Sequence, residues 1–475
     1  MDKDTKQPAN DVINGYEMDV KKGASDYETS EIPMSTLRIL KNVLVVSTGF
    51  LFLFTAFQSM ANLQTSLNKE DGVGAYSLSA IYLALIVSCI FLPKFLVARL
   101  GCKWTIPLCM IGYAAYMAAN FYAVIWLMTI AAVILGIGAA PMWSAKCAYL
   151  TQLGVWFAKL TKQSEDAVIN IFFGFFFMFF QTSQIWGNLI SSSVLEKKPE
   201  SNETDNVTVC GAEFFPEAET NNTGFKQPQE LVRDLCIIYL CCAVVAVVIV
   251  ALLLDPIKLD QESSVEDRKL SPKLLVATLK HLVSSPAQML LVPLTIYSGI
   301  EQAFIGGDFT QSYVSCTLGV ANVGYIFICY GVVDALCSFT FGLVVIVVGH
   351  IPFFVLMTLI HGSLQIILLL WIPDPNTPIY YYVIAGFWGM GDAVVQTQIN
   401  ALYGALFTDN TEAAFANYRL WESIGFAATY LYQNSLRTKY KLYICLAFLA
   451  TGMVGYAIVE VMERRKKSRK AAITS

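Results

Sequence analysis

Long apolar runs, each of about twenty residues, recur along the chain and are separated by short polar breaks. Because an α-helix rises about 1.5 Å per residue, such a run can cross about 30 Å of hydrocarbon. The pattern therefore predicts about twelve helices that span a lipid bilayer. We place them at roughly 43–62, 77–97, 104–122, 125–149, 168–194 and 233–254, and then at 288–306, 319–340, 342–371, 379–404, 419–436 and 441–461.

The composition agrees with a membrane protein. Of 475 residues, 56% are hydrophobic and 14% are charged. A soluble protein of this size carries roughly a quarter charged residues. The formal net charge is −4, and no basic patch is interleaved with aromatic residues, so a nucleic-acid partner is excluded. The predicted fold class is an all-α polytopic membrane protein.

Polar segments divide the chain into five predicted regions. Residues 1–36 form a polar cytoplasmic tail that lacks the pattern of a cleavable signal peptide. Residues 37–254 form a first six-helix half, and residues 287–462 form a second one. Between them, residues 255–286 are a charged linker that continues into an amphipathic helix at the bilayer surface. Residues 463–475 are a basic tail.

Basic residues close to the spans predict the orientation of the chain. Lys94, Arg99 and Lys103 lie in the short loop between the second and third spans, so the positive-inside tendency places this loop in the cytoplasm. Counting spans from this loop puts both termini in the cytoplasm and residues 196–230 outside the cell. One loop departs from the tendency, because the count places three of its basic residues outside: Arg437, Lys439 and Lys441.

The loop 196–230 has the composition of an exterior segment. It contains three N-glycosylation sequons, at Asn202, Asn206 and Asn221, and the chain contains no other acceptable sequon. Three sequons in the one loop that the count places outside predict a glycoprotein of the plasma membrane.

The cysteines divide between the spans and the exterior. Most of the 12 lie in predicted spans, where cysteine acts as a small apolar residue. Cys210 and Cys316 are both predicted outside, where oxidising conditions allow disulfides to form. These two residues are therefore the candidates for a disulfide bond.

Polar residues share one face of a late predicted helix. Asp392, Gln396 and Asn400 follow one another at i, i+4 and i+8. In the next helix, Arg419 and Glu422 are three residues apart and also share a face. A charged residue near the centre of a span costs about 2.5–3.5 kcal/mol, so these faces must point toward other helices or a wet cavity. Packing between helices and lining of a solute pathway both stay open.

Three acidic residues are predicted to lie deep enough in the membrane to need a partner. Glu301 is in the seventh span, Asp334 is in the eighth and Asp392 is in the tenth. In a proton-coupled carrier one of these acids would take up the proton. In a regulatory subunit the same groups would form static ion pairs that stiffen the bundle.

Three further charged residues are predicted near the membrane surface: Lys146, Asp308 and Arg419. Side chains at this depth extend toward water, so we expect all three to be solvated. In a carrier, Arg419 or Lys146 would instead hold an anionic substrate.

The residues predict no enzyme, no cofactor and no metal site. His281, His350 and His361 are dispersed, and none has a partner at metal-ligand spacing. No Ser–His–acid set converges, and the phosphate-binding pattern G-x-x-x-x-G-K-[ST] is absent.

Weak internal repeats favour two related halves. Gly136-x-Gly138 of the fourth span lines up with Gly389-x-Gly391 of the tenth. Parallel repeats of this kind are how the six-helix halves of major-facilitator transporters are built. Packing between helices is the simplest role for these glycines.

Several blocks of sequence resemble the unc-93 family of the major facilitator superfamily, and the likeness runs from about residue 38 to 463. The resemblance implies the twelve-helix transporter fold with two six-helix halves. The blocks that carry it are Asn42–Leu67, Gly138–Thr151, Gln181–Ser192, Gly307–Ser338, Gly389–Gly404 and Glu412–Phe426.

The same resemblance implies a regulatory role rather than an enzymatic one. The family includes an accessory subunit of a potassium channel. The implied function is therefore an accessory subunit of another membrane protein, and the implied partner is a potassium channel. A trafficking chaperone of membrane receptors, as in another branch of the family, is an alternative. A secondary transporter of a small organic solute, driven by an ion gradient, is the other.

One departure from the superfamily bears on transport. The superfamily signature between the second and third spans is G-x-L-x-D-R-x-G-R-K, and here only Leu96, Arg99, Gly101 and Lys103 fit. Ala98 stands where the acid is expected, and the corresponding turn, 342–350, has no charge pair. Because that acid–arginine pair helps to gate alternating access, its absence counts against transport.

Overall fold

The computed structural model describes residues 32–68, 70–163, 165–195, 209–216, 228–257, 280, 282–407 and 411–474. The predicted glycosylation sites Asn202, Asn206 and Asn221 lie outside the described residues, as does most of the predicted linker helix. Within the described residues there is no β-strand, and twelve long helices follow one another. Eight helical stretches are long and apolar enough to cross a membrane.

The first half contains helices α1 to α6. A break at Gly101, where φ is 69°, divides one long helix, Val73–Ala119, into α2 (73–100) and α3 (102–119). A positive φ favours glycine, which has no Cβ to clash with the backbone. The other helices are α1 (Thr36–Leu67), α4 (Ile125–Thr161), α5 (Glu165–Leu195) and α6 (Gln229–Leu253).

The second half contains helices α7 to α12. The first of them, α7, changes to π-helical geometry over Phe304–Ser315, which is uncommon and is found mostly at functional sites. The helices are α7 (Pro286–Leu318), α8 (Ala321–Val348), α9 (Ile351–Leu370), α10 (Ile379–Leu406), α11 (Thr411–Tyr432) and α12 (Thr438–Thr474).

Two predicted boundaries are wrong. The turn between the eighth and ninth spans lies at Gly349, where φ is 78°, and α8 runs through Gly342 to Val348. The segment 342–348 is apolar throughout, so hydropathy does not show where the helix ends. The glycine after it marks the end of the helix. The predicted basic tail continues α12 as far as Thr474, because its Glu, Arg, Lys and Ala residues favour helix.

The two ends of the bundle carry different polar contacts. We call one the disulfide end, because Cys210 and Cys316 form a disulfide bond there, with their Cα atoms 5.7 Å apart. We call the opposite one the Asp255 end. Helix α1 starts at the Asp255 end, where Arg38 contacts Asp255, and finishes at the disulfide end.

The halves contact each other near the disulfide end. Thr65 of α1 donates a hydrogen bond to the carbonyl of Gly307 of α7 (3.1 Å), and the hydroxyls of Ser66 and Ser315 are 2.8 Å apart. These bonds place the end of α1 against the π-helical segment of α7.

Two further helix pairs extend this junction. Tyr82 of α2 stacks on Phe426 of α11 with ring centroids 4.1 Å apart. Ser192 of α5 donates to the carbonyl of Ala321 of α8 (2.9 Å). A Cβ on Gly324 would come within 2.4 Å of a backbone oxygen of α5, so the close approach of α5 and α8 requires glycine.

A loop of the first half is fastened to the second half. Besides the disulfide bond of Cys210, Glu213 forms ion pairs with Arg437 (2.9 Å) and Lys439 (2.7 Å). The backbone N–H of Thr438 donates to the carbonyl of Phe214. Hydrogen bonds from Lys439 and Arg437 lower the pKa of Glu213. The basic residues that depart from the positive-inside tendency therefore have an acidic partner.

A buried ion pair holds α7 to α12. Lys441 Nζ lies 2.6 Å from Asp308 Oδ1, and both side chains are completely buried. The same Nζ donates to the carbonyl of Gln433. The expectation that Asp308 is solvated is wrong, because α12 supplies a cation at its depth.

At the opposite end, Asp255 joins three elements of the first half. Its carboxylate accepts hydrogen bonds from Arg38 (2.8 Å), Lys41 (2.8 Å) and Asn42 (3.1 Å). Its carbonyl accepts one from Tyr149 of α4 (2.8 Å). The Arg38 hydrogen bond, together with those from Lys41 and Asn42, holds the pKa of Asp255 well below its ordinary value.

We expect Asp255→Asn to lower the free energy of unfolding by about 1–3 kcal/mol, because charge-assisted hydrogen bonds are lost. A carboxyl with a depressed pKa contributes stability above its unfolded value of about 3.9 and loses it only as the pH falls through the folded value. The difference in melting temperature between wild type and D255N should therefore be the same at about pH 8 and about pH 5. Asp234→Asn is the control, since that exposed carboxylate lies 4.0 Å from Arg233. A difference that disappears at the lower pH would contradict this role of Asp255.

Candidate functional site

Three buried carboxyl groups from three helices meet inside the second half. Glu301 of α7 is 0% exposed, Asp334 of α8 is 3% exposed and Asp392 of α10 is 4% exposed. They lie close enough to interact electrostatically with one another. Among the described residues, no lysine or arginine forms an ion pair with any of them. We call these three residues the acid cluster.

Neutral donors surround Asp392. Tyr330 of α8 donates its hydroxyl to Oδ2 (2.5 Å), and Gln396 donates its amide to Oδ1 (3.2 Å). Asn400 donates to the carbonyl of Gln396 (2.6 Å). The predicted polar face of α10 is therefore one connected set of hydrogen bonds, and only its first member is charged.

Among the described residues, Glu301 has one hydrogen-bond donor. Trp388 of α10 donates its indole N–H to Oε2 (2.7 Å), whereas the buried Oε1 has no hydrogen-bond partner in this part of the chain. His361 of α9 stacks on Trp388 with ring centroids 5.0 Å apart. A Cβ on Gly391 would lie 2.1 Å from His361 Nε2, so this glycine lets α10 approach the imidazole. Neither His361 nor Trp388 stands out in the sequence as a member of this site.

Asp334 joins the acid cluster to the first half. Gln181 of α5 donates to its Oδ2 (3.0 Å), and Ser338 donates to its Oδ1 (3.1 Å). Gly331, one turn before Asp334, packs against the side chain of Gln184 of α5. One side of α8 therefore faces the acid cluster and another faces α5.

Lys146 of α4 lies in an aromatic pocket of the first half. Its side chain is 1% exposed, so the expectation that it reaches water is wrong. Cation–π contacts of this kind stabilise a desolvated ammonium by about 0.5–2 kcal/mol each. The Nζ atom lies 4.3–5.2 Å from the centroids of four rings: Trp143, Phe173, Phe176 and Phe177.

Arg419 and Glu422 of α11, which their spacing places on one face, form an ion pair at 2.6 Å. Glu422 is buried and also accepts hydrogen bonds from Ser298 (3.1 Å) and Tyr418 (3.0 Å). The Arg419 side chain is 51% exposed. Its helix, α11, packs against α2 of the first half through the stacking of Phe426 on Tyr82.

The groups of this interior can form hydrogen bonds and ion pairs. Within the described residues, no group of three or more His, Cys, Asp or Glu side chains is placed to hold a metal ion. Carboxyl groups with neutral neighbours lie in the second half, Lys146 lies in the aromatic pocket of the first half, and Arg419 is paired with Glu422. Ionisable groups at this depth are typical of transport proteins and their relatives.

The helix order, the two halves and this polar interior define a multi-pass membrane protein of transporter fold. Solved structures agree. The nucleoside transporter NupG superposes with a TM-score of 0.58 and 12% identity, over 90% of this chain and 98% of that one. A structure from work on proton-dependent oligopeptide transporters gives a TM-score of 0.60 and 11% identity, over 89% and 99%. At these identities the likeness shows the fold of the major facilitator superfamily.

The chain belongs to the UNC-93 family. Residues 65–456 match the family model described as ion channel regulatory protein UNC-93. Protein unc-93 homolog A of Xenopus laevis is 44% identical over 92% of this chain and 96% of its own, and the Homo sapiens protein of that name matches equally well. The Caenorhabditis elegans protein unc-93, whose name describes a potassium channel regulatory protein, is 35% identical over 89% of this chain and 61% of its own.

Proposed function

We propose that this protein is a non-enzymatic accessory subunit that regulates another membrane protein, with a potassium channel as the first partner. We place it in the plasma membrane with both termini in the cytoplasm. Membership of a family described as ion channel regulatory proteins carries the proposal. The name of the Caenorhabditis elegans relative supports the choice of a potassium channel.

The geometry at the end of α2 supports a regulator over a carrier. Transporters of this fold alternate access by rocking one half against the other. The last turn of α2 has Ala98 where the gating acid is expected, and the Arg99 guanidinium lies over the ring of Phe95 (4.8 Å). A bundle without this charge pair is better suited to presenting a fixed surface to a partner.

The junction at the disulfide end supports the same reading. Direct hydrogen bonds join α1 to α7, and the segment 209–216 of the first half is bonded to α7 and α12. To open this end, the hydrogen bonds of Thr65 and Ser66 must break. These contacts favour one resting arrangement of the halves.

Co-expression with a panel of potassium channels tests the proposal. We expect the protein to change the whole-cell current of at least one channel and to co-purify with it from the membrane. Because a regulator does not depend on proton uptake, the Asp392→Asn variant should keep the effect on current. An unrelated twelve-helix transporter at matched surface level is the negative control. Unchanged currents together with no co-purified channel would contradict the proposal.

A second candidate, favoured by the acid cluster, is a proton-driven carrier of a small organic anion. Asp392 and its neighbours have no cationic partner among the described residues, so they could take up protons during a transport cycle. Arg419, half exposed on a helix that packs against the first half, could bind an anionic solute.

Proteoliposomes separate this candidate from the first. A carrier should show solute uptake that follows an imposed pH gradient and is lost in Asp392→Asn, since the amide cannot take up a proton. Asp255→Asn is the matched control and should keep the flux, because Asp255 lies outside the acid cluster. Absence of gradient-driven flux, or equal flux in wild type and D392N, would contradict the carrier.

A further inference from the structure

Two carboxyl groups of the acid cluster are neighbours. Trp388, which donates to Glu301 Oε2 (2.7 Å), lies one turn before Asp392 on α10, and this places Glu301 beside Asp392. A hydrogen bond between two carboxyl groups needs a proton, since two carboxylates can only accept. At about 4 Å in an interior of effective dielectric constant about 20, two like charges repel by about 4 kcal/mol. Both groups therefore cannot be ionised without a strong penalty.

The donors around each group indicate which one is neutral. Asp392 accepts one neutral hydrogen bond on each oxygen, from Tyr330 and from Gln396, and this solvates a negative charge. Glu301 accepts one bond on Oε2 only, from Trp388. Its Oε1 is completely buried and has no donor in the described part of the chain. An ionised Glu301 would leave a charged oxygen unsatisfied, whereas a protonated Oε1 has a use as a donor.

Within the described residues, the titratable groups around the pair supply no cation. Tyr297 accepts a hydrogen bond from Gln365, so its own proton is free for Nδ1 of His361 (2.7 Å). The Nε2 atom of His361 donates to the carbonyl of Trp388, so this arrangement matches a neutral imidazole. The described titratable groups that interact electrostatically with Glu301 or Asp392 are Tyr297, Tyr330, Asp334, His361 and Cys445.

The cation of α11, Arg419, already forms an ion pair. Glu422 lies against Ser298, one turn before Glu301, and is paired with Arg419. Because this pair is neutral as a whole, it neither requires nor replaces a proton on Glu301. The proton thus remains the one positive charge available to the pair of carboxyl groups from the described residues.

We propose that Glu301 and Asp392 form a proton-binding site, in which Glu301 holds the proton on Oε1 and donates it to the Asp392 carboxylate. The site lies wholly inside the second half and does not depend on which of the two functions above is correct. Its failure would leave the channel and flux experiments unaffected.

The site is connected to the boundary between the halves through α8. Tyr330 bonds to Asp392, and Asp334, one turn along the same helix, bonds to Gln181 of the first half. Loss of the proton would place two negative charges in contact and displace the donors of Asp392. Occupancy of the site is therefore able to bias the contact between α8 and α5.

Infrared difference spectroscopy on the purified full chain in lipid nanodiscs tests the proposal directly. Near neutral pH the protein should show the carbonyl stretching band of a protonated, buried carboxyl group. This band should be absent in Glu301→Gln, whose amide keeps the shape of the side chain and can still donate to Asp392. In Asp392→Asn the band should persist at a shifted frequency, because the acid loses its charged acceptor.

Matched variants locate the proton. Glu422→Gln removes a buried acid that is ion-paired, and Asp334→Asn removes the third acid of the cluster, so both should keep the band. A band that is missing in wild type, or that disappears in D334N or D392N and survives in E301Q, would overturn the assignment. Should E301Q not yield folded protein by thermal melting and gel filtration, D392N decides: a shifted band supports the contact, and an unshifted band overturns it.

Discussion

A charge inside hydrocarbon must find a partner, and this constraint organises the polar interior of the protein. The cost of an isolated ion at the centre of a span is at least about 2.5–3.5 kcal/mol. Asp308 is paired with Lys441, and Glu422 is paired with Arg419. Lys146 lies instead in a pocket of aromatic rings. Each solution joins different helices or stiffens one, so the same contacts that satisfy charge also hold the bundle together.

The distribution of these contacts gives the two ends of the molecule different characters. At the Asp255 end, ion pairs lie within the first half, between α1 and the end of α6. At the disulfide end, polar contacts cross from one half to the other, and the loop segment around Cys210 is bonded to the second half. An arrangement of this kind suits a protein that presents a stable face to a partner. The acid cluster differs from these ion pairs, because the hydrogen-bond donors around its carboxyl groups are neutral.

The helices were predictable from sequence and their partners were not. Apolar runs report length and burial, so the spans and the two halves follow from local pattern. The i, i+3 spacing likewise placed Arg419 and Glu422 on one helix face. Asp308 and Lys441, by contrast, are 133 residues apart, and both were placed near the surface because depth was judged from the span ends alone.

The parts of the site that sequence reasoning missed share one property. Trp388 reaches Glu301 across 87 positions, and Gln181 reaches Asp334 across 153. Neither residue carries a charge, so neither stands out in an apolar run. The aromatic-rich stretch of α5 around Phe176 was visible, but only the packing of α4 against α5 shows that it surrounds Lys146.

A double-mutant cycle on the buried pair measures the central constraint most directly. Thermal unfolding would be compared for purified wild type, Asp308→Asn, Lys441→Gln and the double variant. The account predicts that each single change costs about 3–5 kcal/mol, since it leaves an unpaired buried charge, and that the double variant is more stable than either single one. Single variants as stable as wild type, or losses that simply add in the double variant, would contradict it.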